Sequence, residues 1–158
     1  MSNASSLFGP LPGLPDPDRD PQFYAGVPMR RFAAWVIDLI IVAAISIIAI
    51  PVFGIVTLGL GFFAAPAIYA VLSFIYRVAT LTSRSATWGM RIMGIELRRG
   101  DGQRFDFGLS LAHVGFYTLS VFLTVPLVVT VITVLSTRYR QTLHDILLRT
   151  TAINTPED

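Results

Sequence analysis

The chain has 158 residues, of which 53% are hydrophobic and only 14% are charged, whereas a soluble domain carries about 25% charged residues. It has no cysteine, which excludes disulfides and thiolate metal sites, and every basic residue is arginine. Because the formal net charge is only +2, we expect no nucleic-acid partner. The composition indicates instead that the protein lies in a lipid bilayer.

The first 28 residues differ from the rest of the chain in composition. They carry six prolines and show little hydrophobic periodicity, which is typical of disordered segments. We therefore predict a disordered proline-rich tail over residues 1–28 and one membrane domain over residues 29–158. The alternative is that the tail is a docking segment for a partner.

Two apolar segments follow the tail. Residues 32–50 are apolar except for Asp38, and residues 55–76 carry no charge. Each is close to the ~20 residues that cross a hydrocarbon core of about 30 Å. The sequence "PVFG" (residues 51–54) predicts a turn between them, and Pro66 predicts a local kink in the second helix. The pattern indicates a transmembrane helical hairpin.

A polar, arginine-rich segment comes next. The sequence "IELRRGDGQRFDF" alternates apolar and polar residues around Asp101 and Gly102. Asp-Gly between alternating segments is a signal for a β-hairpin. We predict a small cytoplasmic β-hairpin at the membrane surface, over about residues 92–107.

The third apolar block, residues 108–136, has an awkward length. As one helix it would span roughly 43 Å, and it is too short for two full crossings. A re-entrant or broken hairpin at Pro126 and a single long tilted helix are both open. Arginines precede the first span, follow the second and follow the third block. The positive-inside rule therefore favours the returning hairpin, with both termini cytoplasmic.

Asp38 is the unusual residue of the first span. It lies roughly 9 Å inside the apolar segment, where an ionised carboxylate costs about 3 kcal/mol. It must therefore be protonated, hydrated or paired. Arg31 shares a helix face with it, but helical side chains lean toward the N-terminus, so a direct bridge between them would be strained. We expect the partner of Asp38 to come from another segment.

The C-terminal sequence "RYRQTLHDILLRTTAI" predicts a short interfacial amphipathic helix. If the third block returns, Asp145 reaches the level of Arg31, and we predict an ion pair between them. Arg140 or Arg149 would then pair with Asp38. The apolar residues at helical spacing are Leu143, Ile146 and Leu147.

Four sequence segments together resemble the RDD family of small bacterial membrane proteins, named for one arginine and two aspartates. "RFAAWVID" supplies Arg31 and Asp38, and "RQTLHDILLRT" supplies His144 and Asp145. Between them lie "TWGMRIMGIEL", similar to the family's Thr-x-Gly-Lys-Arg-x-x-Gly stretch, and "DGQRFDFG". The resemblance implies a multi-pass protein of the bacterial inner membrane with a role in transport and no settled substrate.

The chain departs from the family pattern at three positions. Met90 replaces the usual lysine, Trp88 replaces the usual proline, and His113 stands where an arginine is common. Any contact that those basic residues make with a ligand or a lipid phosphate is therefore in doubt here.

Two function classes remain after the sequence is read. The first is a transporter or transporter component for an ion or small solute, acting as a homo-oligomer, because two full spans cannot enclose a pathway alone. The second is a structural or assembly subunit of a larger membrane complex.

We expect no enzyme, no cofactor and no metal site, since no phosphate loop or nucleophile elbow is present and the two histidines lack metal-ligand neighbours in sequence. The residues expected to carry function are Arg31, Asp38, Asp145 and His144, with Arg140, Arg149 and Arg91 in support. A plain ion-pair network that locks the helices, and a plain interfacial role for His144, are the alternatives.

Overall fold

The computed structural model describes residues 9–155, apart from the side chains of residues 124–127. Its helices are α1 (Val27–Val56), α2 (Ala65–Arg84), α3 (Trp88–Ile92), α4 (Phe107–Phe122), α5 (Thr124–Ser136) and α6 (Leu143–Leu148). Two strands, β1 (Ile95–Arg99) and β2 (Thr150–Asn154), pair in an antiparallel sheet. Short 3-10 helices cover Pro21–Phe23 and Leu60–Phe62. The protein is therefore mostly helical, as predicted.

Two helical segments, Pro21–Val56 and Ala65–Arg84, are long and apolar enough to cross a membrane. In each, only 17% of the most apolar window is buried inside the protein, whereas a core helix of a soluble protein would be mostly buried. The end of this helix pair that is remote from the sheet is the most exposed: Ile47, Leu58 and Phe63 are 73%, 96% and 89% exposed. Apolar surface of this kind suits a hydrocarbon environment.

The connection between the two long helices lies later in the chain than predicted. Pro51 is inside α1, so the expected turn at residues 51–54 is wrong. The chain turns instead where Leu58 and Gly59 take positive φ values of 53° and 95°, a conformation that glycine adopts without steric cost. A proline removes only one helical N–H, and away from water the remaining backbone bonds hold the helix together.

The second helix consequently covers Ala65–Arg84 instead of residues 55–76. Pro66 is its second residue, where a backbone N–H would have no helical partner in any case. The predicted kink at Pro66 is therefore wrong. The shift also brings Arg77, expected at the end of the span, into the body of α2.

The third apolar block forms two helices. The break falls at Leu123 (φ −110°, ψ 115°), three residues before the predicted position at Pro126. The helices α4 and α5 contact each other, and both contact α6. The chain therefore leaves the end of the molecule that holds α6 along α4 and returns to it along α5, as a broken hairpin does and as one long helix could not.

The predicted β-hairpin over residues 92–107 is wrong in its second strand. The turn is present, because the N–H of Gly102 donates to the carbonyl of Arg99 and Gly102 has φ +84°. Strand β1, however, pairs with β2 from the C-terminal region, in the register Leu97 opposite Ala152. Strand β2 presents four buried residues in a row, and this covered strand outcompetes the exposed local partner.

The structure also corrects the expected disorder of the tail for residues 9–28, while residues 1–8 lie outside the described residues. Leu11 and Tyr24 are buried, and Tyr24 packs edge-on against Tyr139 at 5.8 Å between ring centroids. The N–H of Gly13 donates to the carbonyl of Gly100 at 2.9 Å. The tail therefore lies against the sheet end of the protein, because its few apolar residues find partners there.

The hydrophobic core lies at this same end. It joins the first half of α1, the second half of α2, both strands and the start of α4. Its buried members are Val27, Ala34, Val78, Leu81, Ile95, Leu97, Phe105, Val114 and Ala152. The buried charged groups lie beside this core and form the site described next.

Candidate functional site: two buried carboxylates

One face of α1 carries the charged residues of the first motif into the protein. Arg31 and Asp38 are seven residues apart, with Ala34 between them, and all three face inward, as their spacing predicts. Asp38 is 1% exposed and the Arg31 side chain 11%. The two residues do not pair with each other; each belongs to a separate centre.

The first centre joins Arg31 to Asp145. Nη1 of Arg31 lies 2.6 Å from Oδ2 of Asp145, so the predicted ion pair is confirmed. Asp145 is also the third residue of α6 and closes a capping box with Thr142, whose N–H donates to Oδ2 at 3.0 Å. The hydroxyl of Thr150 donates to Oδ1 at 3.1 Å. This carboxylate therefore ties α1, α6 and β2 together.

Asp145 is fully buried and ionised. Burial by itself raises the pKa of this carboxyl, but the Arg31 guanidinium and the Thr142 N–H more than offset it, and the pKa lies well below its usual range. Removing one partner of such a pair leaves an uncompensated buried charge. Nε and Nη2 of Arg31 are also buried, with no hydrogen-bond partner among the described residues. Arg31 therefore has donor capacity beyond its bond to Asp145.

Helix α6 presents its polar side to the interior. His144 and Asp145 are buried, whereas Leu147 is 46% exposed. A short helix forms here as predicted, with Leu147 on the side away from the interior. The reason is that Arg31 and the cap hold Asp145 inside, and the 3.6-residue period then directs Leu147 outward.

The second centre surrounds Asp38. The hydroxyls of Tyr76 and Thr87 donate to its Oδ1 and Oδ2, each at 2.7 Å, and the N–H of Gly89 donates to Oδ1 at 2.9 Å. Nη1 of Arg77 lies 3.7 Å from Oδ2. The partners of Asp38 thus come from α2 and from the start of α3, which confirms that they belong to other segments.

The start of α3 is built for this contact. Thr87 is the N-cap residue, and its hydroxyl accepts the N–H of Met90 while it donates to Asp38. A Cβ atom on Gly89 would stand 2.2 Å from the carbonyl oxygen of Ala34, so only glycine allows α3 to approach α1 here. The Thr-x-Gly part of the motif therefore forms a cradle for a carboxylate.

Arg77 is a residue of the candidate site that the sequence pattern did not indicate. Besides facing Asp38, its guanidinium carbon lies 4.6 Å from the ring centroid of Tyr117, whose hydroxyl accepts from Nε1 of Trp35. The sequence placed Arg77 at the end of a span, where an arginine is ordinary. The usable signal was that residues 78–82 are apolar or weakly polar, so the helix could continue past the arginine.

The two histidines meet beside the first centre. The rings of His113 on α4 and His144 on α6 are 4.5 Å apart between centroids and nearly perpendicular. Nδ1 of His113 lies 3.7 Å from Oδ1 of Asp145. Burial lowers the pKa of His144, so this imidazole is neutral at pH 7. His113, His144 and Asp145 are the described residues whose ligand atoms are close enough together to hold a metal ion.

The three supporting arginines lie elsewhere. Nε of Arg91 donates to the carbonyl of Ala86, and its guanidinium lies over the Trp88 ring. Arg140 donates to the carbonyl of Leu135, and Arg149 donates to the carbonyl of Pro10. The hypothesis that Arg140 or Arg149 pairs with Asp38 is wrong, because Arg77 takes that place.

A protein-family model described as the RDD family matches residues 25–149, which is most of the chain and includes Arg31, Asp38, Arg77 and Asp145. No curated protein and no solved structure matches the chain.

Proposed function

This chain belongs to the RDD family, and on that premise we propose that it is a multi-pass protein of the bacterial inner membrane that moves an ion or a small solute as an oligomer. The family and the apolar helices make it a membrane protein. The observation that supports transport is the buried pair of Asp38 and Arg77 within helices whose outer faces are apolar. Ionisable side chains inside membrane helices mark ion and substrate pathways by default.

Asp38 is suited to bind a passing cation or proton. Its two oxygens already accept three hydrogen bonds from fixed donors, whereas Arg77 stands farther away, at 3.7 Å. The arginine is therefore the partner that a competing cation would displace first, while the hydroxyls and the Gly89 N–H keep the carboxylate in place. Two spans of one chain enclose no pathway, which is why the proposal includes an oligomer.

The transport proposal is tested by flux through proteoliposomes that contain the purified protein. A trapped pH dye reports proton movement under imposed monovalent-cation gradients. Asp38→Asn should abolish any flux of the parent protein, whereas Asp18→Asn, an exposed tail carboxylate paired with Arg138, should leave it unchanged. Flux that survives in Asp38→Asn, or a parent protein with no flux under any gradient, contradicts the proposal.

We also propose that both termini face the cytoplasm. Support comes from the arginines, all of which lie in residues 19–31, 77–104 and 138–149. Contacts of Arg31 with Asp145 and of Arg30 with Met93 bring these three segments together. The chain has no cysteine, so single cysteines can report sidedness. Leu58→Cys should react with an impermeant maleimide from outside intact cells, and Asp101→Cys should react only after lysis. The reverse pattern contradicts this topology.

An architectural role in a larger membrane complex is the second candidate. It is favoured by the Asp145 centre, where one carboxylate holds α1, α6 and β2 through fixed donors. A pull-down of the tagged protein in mild detergent, followed by mass spectrometry, separates the two roles. A reproducible partner at a fixed ratio supports the subunit role, and self-association alone supports transport.

A further inference from the structure

Three potential metal ligands from two helices meet in the interior. His113 on α4 and His144 and Asp145 on α6 each offer one ligand atom, and these atoms all lie within 4.8 Å of one another. His113 and His144 are each 6% exposed and Asp145 is fully buried. The fold therefore assembles a cluster that the sequence, with its two histidines far apart, does not reveal.

Each group of the cluster has a ligand atom that can take a further partner. Nδ1 of both histidines is buried and has no hydrogen-bond partner among the described residues. The two oxygens of Asp145 have different partners. Oδ2 pairs with Arg31 and accepts the Thr142 N–H. Oδ1 accepts the Thr150 hydroxyl and faces His113. A carboxylate oxygen has two lone pairs, so Oδ1 can accept one more partner.

We propose that His113, His144 and Asp145 form a binding site for a divalent transition-metal ion such as zinc. Two imidazole nitrogens and one carboxylate oxygen are a ligand set that zinc uses, with water in the fourth position. Bonds of about 2.0–2.1 Å in a tetrahedron hold ligand atoms roughly 3.3–3.4 Å apart. The 3.7 Å between Nδ1 of His113 and Oδ1 of Asp145 is already close to that spacing, and small side-chain rotations bring in His144.

Arg31 competes with the metal ion for the Asp145 carboxylate. Its permanent positive charge lies 2.6 Å from the other oxygen of the same carboxylate. Two cations on one buried carboxylate repel each other, so the ion pair lowers the affinity for metal. A purely structural cluster would have no such dependence. Replacement of Arg31 by the uncharged Met should therefore strengthen metal binding.

The binding test uses the purified protein in detergent, prepared with an affinity tag that contains no histidine and stripped with a chelator. Cobalt(II) is the probe, because tetrahedral cobalt gives visible absorption bands, and zinc then competes for the site. The parent protein should bind one equivalent. His113→Phe and His144→Phe keep a ring in the cluster but remove a ligand, and each should weaken binding by more than about 100-fold, beyond the loss expected for an outer-shell partner.

The controls decide between a built site and a chance cluster. Glu96→Gln alters a buried carboxylate that pairs with Arg98 and lies outside the cluster, and it should leave the affinity unchanged. Arg31→Met should raise the affinity about tenfold or more. If His113→Phe does not fold, His113→Gln takes its place. The proposal is overturned if the parent does not bind one equivalent, or if binding survives the loss of both histidines. None of these outcomes depends on whether the protein transports anything.

Discussion

The backbone of Gly89 lies directly against the carboxylate of Asp38. The Gly89 N–H donates to Oδ1 at 2.9 Å, and a Cβ atom on residue 89 would stand 2.9 Å from the same oxygen. The hydrogen bond therefore requires glycine at position 89, since the N–H reaches Asp38 only when the residue has no side chain.

We expect Gly89→Ala to lower the free energy of unfolding by about 1–3 kcal/mol, the usual cost of overpacking a close contact. Thermal denaturation in detergent measures the change. Gly115→Ala is the matched control, because no atom of the described residues lies within 4 Å of a Cβ at that position in α4. It should be neutral or stabilising by about 0.5–1 kcal/mol. Equal melting of the two variants would show that α3 does not approach α1 as closely as described.

Arg31→Ala should be strongly destabilising. It leaves the Asp145 carboxylate buried without its cation, which costs about 3–5 kcal/mol. Arg30→Ala is the control next to it, since the Arg30 side chain is exposed and, among the described residues, donates only to the carbonyl of Met93. That change should cost less than about 1 kcal/mol. A double-mutant cycle of Arg31→Ala with Asp145→Asn should show a smaller combined loss than the sum of the single losses; additive losses would argue against the pair.

Asp38→Ala should also destabilise the protein, because it leaves the hydroxyls of Tyr76 and Thr87 and the Gly89 N–H without their shared acceptor. Tyr76→Phe removes one of these bonds and also the acceptor of the Trp88 N–H, so we expect a loss of about 1–3 kcal/mol. Tyr69→Phe on the same helix is the control. A melting temperature for Asp38→Ala equal to that of the parent would refute the role of this centre in stability.

The tail should be held by burial more than by charge. Leu11 is 2% exposed, and Leu11→Ala should cost about 2–5 kcal/mol of local stability. Arg138 pairs with Asp16 and Asp18 at the surface, so Arg138→Gln should cost less than about 1 kcal/mol. Limited trypsin cleavage after Arg19 reports both effects. Cleavage should accelerate clearly in Leu11→Ala and little in Arg138→Gln; the opposite order would mean that ion pairs anchor the tail.

Stability should fall as the pH falls below about 6.5. Burial lowers the pKa of His144 from its ordinary value of 6.5, so the unfolded chain takes up a proton near that pH while the folded protein does not. The stability that neutral His144 contributes is therefore fully present above pH 6.5 and is lost as the pH falls toward the lowered pKa. Asp145, Arg31 and the His113 ring face this imidazole. Melting curves from pH 8 to pH 5 in chelator should show the decline, and His144→Phe should make it shallower; an undiminished decline in the variant would assign the effect elsewhere.

The sequence predicted which helix face carries charge, and it predicted that Arg31 pairs with Asp145, because a helix period and one returning segment are enough to place both. It failed where proline and local turns were taken as boundaries. Pro51 sits within a helix because one missing N–H does not end a helix away from water. Because α2 lies later in the chain than expected, the sequence placed Arg77 at the end of a span instead of inside the helix. The partner of Asp38 was therefore not predicted. The pairing of β1 with β2 and the meeting of His113 with His144 depend on contacts between distant segments, which no local pattern encodes.

The pairing of β1 with β2 also sets an order of assembly. During synthesis β1 emerges before α4, α5 and α6, and its partner strand follows them all. Asp145 on α6 is also synthesised long after Arg31. The first helices are therefore made before the charge of Arg31 has its ion-pair partner. Contacts so distant along the chain form slowly. The sheet end of the protein therefore closes as a late step of folding, and any truncation before Asp145 would leave both an unpaired strand edge and an unpaired charge.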